Sequence, residues 1–210
     1  LVDEYYEAYA RFEPVWATES GDGRFFDQLG LAIAPKNRDA QFALYRGYLE
    51  RLGAIDRARL NARDQASYDI VKFELESNLR LGAFPEHLLP VDQMFNMPVF
   101  MANYAGGQGA QPFATAKDYR AYLNRLDQMV AYIDQSIANM REGVKRGVVH
   151  PREPMQSLLP QFKQLVAATP EASIFYAPIK NLPAGFSAGE KRSLSDAYRK
   201  TIKDKLNPAL

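Results

Sequence analysis

"TAKDYRAYLNRLDQMVAYIDQSIANMREGV", residues 115–144, decides the fold class. Thr115 and Asp118 form a T-x-x-D capping box, the signature of a helix start. After it Tyr119, Leu123, Leu126, Val130, Ile133, Ile137, Met140 and Val144 alternate steps of four and three. That spacing predicts one long heptad-patterned helix near residues 116–146. A helix of about 30 residues is roughly 45 Å long. Its seam can pair with a second copy or with helices of the same chain. The rest of the chain is also helical and needs partners, so packing within the chain is the expectation.

Helical signals continue on both sides. "VDEYYEAYARF", residues 2–12, reads as an opening helix. Phe42, Tyr45, Leu49 and Leu52 share one face of a second, and Asn61 can cap a third that runs to about Phe84. The third carries two apolar stripes, Tyr68/Val71/Leu75/Leu79 and Ala66/Ile70/Phe73/Leu81, which predicts a helix packed between neighbours. Pro151 falls where a first helical turn accepts proline, and Met155, Leu158, Leu159, Phe162 and Leu165 follow on one side. Ser187 and Glu190 make a second capping box before Leu194, Tyr198, Ile202 and Leu206. Residues 14–30, 91–113 and 169–186 read as loops. The expectation is an all-α chain of six or seven helices in one irregular bundle, a single domain over residues 1–210.

Composition narrows the function. The 210 residues carry 26 basic and 25 acidic side chains, a balance that argues against a nucleic-acid partner. No apolar run approaches the ~20 residues of a transmembrane segment. With no cysteine, disulfides, thiolate metal sites and cysteine nucleophiles are excluded. The two histidines, His87 and His150, lie far apart in sequence and form no H-E-x-x-H, so the chain offers neither metal ligands nor a cofactor site. No catalytic set is legible.

Three stretches invite a functional reading. "REGVKRGVVHPREP", residues 141–154, surrounds His150 with cations. Cations near a helix C-terminus, a glycine turn and a proline restart account for it as a corner between two helices. Arg152 is the exception, because a cation in a first helical turn opposes the dipole; it calls for a carboxylate partner or a site. "ESGDGRFFD" lacks calcium-loop spacing, and "GGQGAQ" lacks the G-K-[ST] of a phosphate loop. "MFNMPVFMANY", residues 94–104, gathers three methionines and three aromatics without helical period. Such a segment either fills a core gap or lines a groove.

Four stretches in order resemble one family. "EPVWATESGDGRFFDQL" is similar to the P-x-x-A-T-x-x-G segment of the bacterial domain-of-unknown-function 885 family. "DYRAYLNRLDQMVAYIDQSIANMREGVKRGVVHPREPM" resembles its long helix ending in R-E-G, then G, then P-R. "ASIFYAPIKNLPAGFSAGEKRSL" resembles its S-x-F-Y-x-P segment, and "LNPAL" its P-A-x-x-L. Together they span Glu13 to Leu210. The resemblance implies the N-terminal portion of a longer, gluzincin-like zinc metallopeptidase, exported to the periplasm or cell envelope. Its zinc and its His-Glu…His ligands would lie in a C-terminal half absent from these residues, and that half would be this portion's partner. Peptide would be the substrate of the intact protein, and this chain alone no enzyme. By analogy with related helical peptidases, Met94, Phe95, Met97, Phe100, Met101, Tyr104 and Arg152 are the candidates for a cleft or partner face. The alternatives are a self-contained helical interaction module of the cell envelope and a family member without activity.

Overall fold

A computed structural model describes all 210 residues, and every regular element in it is helical. Nine helices follow one another: α1 Val2–Tyr9, α2 Pro14–Glu19, α3 Pro35–Gly53, α4 Ala62–Leu81, α5 Met97–Ala105, α6 Ala116–Arg146, α7 Arg152–Leu165, α8 Ala177–Lys180 and α9 Ala188–Thr201. The last continues through a π-turn, Ile202–Leu206, into Asn207–Ala209. Pro208 explains the wider turn: it has no N–H for the Asp204 carbonyl, and its ring crowds that oxygen.

Six of these helices are those the periodicity predicts. The other three, α2, α5 and α8, have 6, 9 and 4 residues and fall inside segments read as loops. Two and a half turns or fewer give a period too little length to show. α5 is also apolar nearly throughout, so no polar face marks its phase. Asn96 nevertheless caps it, accepting from the Val99 N–H at 3.0 Å.

α6 is the strut of the fold. Both halves of its capping box form: the Thr115 hydroxyl accepts from the Asp118 N–H at 3.3 Å, and the Asp118 carboxylate from the Thr115 N–H at 2.7 Å. The far end is locked rather than frayed. Gly147 takes the left-handed conformation at φ 71°. The Val148 N–H then reaches the Gly143 carbonyl at 2.8 Å and the Gly147 N–H the Val144 carbonyl at 3.3 Å. This is a Schellman closure, which needs glycine at the turning residue. Gly143 is buried, and a Cβ there would sit 2.6 Å from the Val148 carbonyl oxygen. Pro151 is the N-cap of α7, one residue earlier than the sequence reading placed it.

The main core surrounds α6. Tyr119, Tyr122, Leu126, Met129 and Ile133 pack with Met101 and Tyr104 of α5, Phe175 and Tyr176 of the following turn, and Leu194, Tyr198, Ile202 and Leu206 of the C-terminal helix. Its buried polar ends are satisfied: the Tyr122 hydroxyl donates to the Met101 carbonyl and the Tyr198 hydroxyl to the Tyr119 carbonyl, each at 2.7 Å. The heptad seam thus meets helices of its own chain, although its last member, Val144, is exposed. A smaller core joins α1, α3 and α4 through Tyr5, Tyr45, Leu52, Val71 and Leu75. Here one expectation fails. The second stripe of α4 is not covered: Ile70 is 66% and Phe73 69% exposed, with Leu81 exposed as well.

Candidate functional site

α5, α6 and α7 enclose a cleft of about 460 Å³. α6 contributes Tyr132, Ile133, Ser136, Ile137 and Met140, which recur at helical steps of three and four on one face. α7 contributes Met155, Leu158, Leu159 and Phe162, with Arg152 and Gln156 at the same wall. Val91, Pro98, Ala209 and Leu210 complete it. Leu159 is exposed and Leu158 buried, so α7 presents part of its apolar side to the core and part to open space. Pro160 lies inside α7 and has no N–H to donate to the Gln156 carbonyl beside the cleft.

A second cavity of about 270 Å³ adjoins the first and shares Tyr132. Met94, Phe95, Met97 and Phe100 line it with Val15 and Val99. The loop before α5 is built to hold two of these outward. The Asp92 carboxylate accepts from the Met94 and Phe95 N–H groups, both at 2.7 Å. The Gln161 side chain, from α7, donates to the Gln93 carbonyl at 3.1 Å. Met94 is 73% and Phe95 74% exposed on this fixed turn.

The structure therefore divides the sequence-predicted residues. Met94, Phe95, Met97 and Phe100 share one cavity, and Arg152 lines the neighbouring cleft. Met101 and Tyr104 correct the reading: both are interior, packed in the main core, because α5 turns that face towards α6. The Tyr104 hydroxyl donates to Glu19 at 2.6 Å. Arg152 is exposed and forms no ion pair, so the expected carboxylate partner is missing and the apolar cleft is its surrounding.

The lining of this cleft is mostly apolar. Its one serine, Ser136, donates its hydroxyl to the Tyr132 carbonyl at 2.8 Å, so no side-chain base activates it. Arg152 is its single charge. Metal ligation does not fit either: no cluster of three or more His, Asp or Glu side chains occurs in the chain. His150 sits half-buried at the corner with its Nε2 unpartnered, a lone donor atom. His87 accepts from the Arg38 Nε–H at 3.2 Å through Nδ1; burial first, then Arg38 and Arg146, hold its pKa below the usual histidine range.

One interior residue escaped the sequence reading. Arg125 is fully buried on α6. It donates to the Gln28 carbonyl at 2.9 Å, to Gln111 at 2.8 Å, to the Phe25 carbonyl at 2.9 Å and to the Thr18 hydroxyl. Its acceptors are all neutral oxygens, and burial lowers its pKa. The fork thus pins the residue 18–28 segment and the loop before α6 onto the strut. A signal existed: Tyr122, Arg125 and Met129 form a second helical stripe beside the heptad seam, with an arginine in phase.

The model of a family of bacterial proteins of unknown function, DUF885, matches residues 14–210, and the chain belongs to that family. No curated protein matches it.

Proposed function

We propose that this DUF885 member supplies the helical, cleft-shaping part of a zinc-peptidase-like protein, and that the cleft along α5, α6 and α7 holds polypeptide. One observation carries this reading. An apolar cleft with a single cation runs beside two large apolar side chains, Met94 and Phe95, that a hydrogen-bonded loop keeps in solvent. Exposure of that kind, fixed rather than incidental, marks a surface that meets a partner or ligand. The walls accept apolar side chains. Arg152 and the Gln156 carbonyl, which receives no bond from Pro160, supply a donor and an acceptor for a peptide backbone. The residues of this chain do not fit zinc, so in this reading the metal is held by polypeptide outside them.

The test uses the intact protein with added zinc and a set of unstructured peptides. The expected result is zinc-dependent hydrolysis, with Leu159→Asp raising KM by about tenfold while kcat stays near its starting value. His150→Ala should leave turnover within a few-fold. No peptide hydrolysis by the zinc-loaded protein, or an unchanged KM for Leu159→Asp, overturns the proposal. A second reading, a helical interaction module, is favoured by the bare stripe Ile70, Phe73 and Leu81 on α4. Loss of a solution complex in Ile70→Asp, with cleft variants silent, would put it first.

A further inference from the structure

Between α1, α3 and the end of α4 lies a third cavity, of about 310 Å³. Glu13, the N-cap of α2, opens into it. Its carboxylate accepts one hydrogen bond, from the Gln41 side chain at 3.1 Å, and no Lys, Arg or His pairs with it. The cavity's own cation is engaged elsewhere. Arg38 donates to His87 at 3.2 Å and to the Gly82 and Phe84 carbonyls at 2.9 and 3.3 Å, and lies 4.6 Å from the Phe42 ring centre. Three aromatic rings line the space beside Glu13: Tyr9, Phe42 and Tyr45. The Tyr9 and Tyr45 centroids are 6.4 Å apart, and the Phe42 and Tyr45 centroids 5.7 Å.

A lone carboxylate among aromatic faces is a poor structural choice and a good cation site. Glu13 is half-buried, and a charge drawn partly out of water is costly without a partner. Ring faces attract cations, as does the carboxylate, and the alkyl part of a ligand gains from the same rings. We infer that this cavity binds a small organic cation, with its ammonium end against Glu13 and its alkyl part among Tyr9, Phe42 and Tyr45. The volume falls at the lower end of the range for small-molecule sites, about 300–1,000 Å³.

Protonation is linked to this binding. Burial raises the Glu13 carboxyl above its ordinary value, and the Gln41 hydrogen bond opposes that only in part. The other groups around the site are Tyr9 and Tyr45, raised by burial and then by neighbouring charge, Tyr132 at about 12, and Arg38, Glu86 and His87 on the cavity wall. A bound ammonium stabilises the carboxylate, so binding releases a proton wherever Glu13 is still protonated, and affinity rises with pH across its titration.

The experiment is calorimetric titration of the intact protein with n-butylammonium chloride, and with butan-1-ol as the neutral isostere, at constant ionic strength. Butylammonium should bind at least about tenfold more tightly than butanol, a ratio equivalent to ~1.4 kcal/mol. Repeating the titration at acidic pH in buffers of different ionisation heat should show proton release. Glu13→Gln should abolish both the preference and the proton release. Equal binding of butylammonium and butanol, or no butylammonium binding at about 50 mM, overturns the inference without any variant. An unchanged preference in a folded Glu13→Gln protein overturns it too.

Discussion

α6 and α4 are the two longest helices, and both show apolar residues on more than one side. In α6 the heptad seam and the neighbouring stripe are both covered for most of their length, within a core of 18 buried residues. In α4 only the Val71/Leu75 side is covered, within a core of 5. The difference teaches what periodicity reports. A repeat shows which faces are apolar; it does not show which faces have a neighbour. Both apolar faces of α6 have neighbours because α5, before it in the chain, and the 170–180 turns and α9, after it, fold against it. α4 has α3 and α1 on one side and nothing on the other.

The largest effect should come from the polar member of the α6 interior. Arg125→Ala removes four hydrogen bonds, strands buried acceptors and opens a cavity. A loss of about 4 kcal/mol is expected in urea unfolding. Arg125→Lys should recover little, because an ammonium cannot span the fork. A loss below about 1 kcal/mol would mean that the desolvation of the unpaired guanidinium cancels its bonds. The covered side of α4 comes next. Leu75→Ala, at a fully buried site, should cost about 3 kcal/mol. If it costs much less than Arg125→Ala plus its error, the small core contributes little, and the comparison sharpens towards a single stabilising centre on α6.

Glu13 tests the seam between the regions by pH. Its carboxyl is raised by burial, so the folded chain keeps this proton at pH values where the unfolded chain has lost it. Stability from this group is full below the unfolded value, about 4.3, and is lost as pH rises through the folded value. Glu13→Gln keeps the shape and removes the titration. Unfolding midpoints of the variant should lose that slope, and above it the variant should be more stable by about 1 kcal/mol. Parallel pH profiles for the two proteins would show that Glu13 is not desolvated.

Most of the architecture was legible for physical reasons. The capping boxes at Thr115 and Ser187, the Asn61 cap and the Gly147 turn each name a local hydrogen bond, and all form. α5 was not legible, because nine nearly all-apolar residues carry no phase. The site was legible by halves. Met94 and Phe95 drew notice through composition, and Arg152 through its conflict with the helix dipole. That Arg152 lines a cleft, and that Met101 and Tyr104 face the other way, follows from how α5 and α7 dock, which no local spacing encodes. Glu13 offered no signal at all: one acid before a proline acquires its character from Gln41 and the rings of α1 and α3.

The bare side of α4 gives the smallest effect and the sharpest test of the comparison. Phe73→Ser replaces a side chain that is mostly in water already, so in this 210-residue chain the change in unfolding free energy should lie within about 0.5 kcal/mol. Helix propensity argues the same, since Phe and Ser rank close together. The solubility of the chain should rise, because the variant breaks the apolar patch formed with Ile70. A loss of 2 kcal/mol or more, measured as an order-of-magnitude cavity cost, would place Phe73 in a covered environment. α4 would then have a neighbour in solution, a second copy being the first to look for by sedimentation. An unchanged stability keeps the asymmetry between the helices: one strut enclosed by its own chain, and one whose outer face is free for a partner.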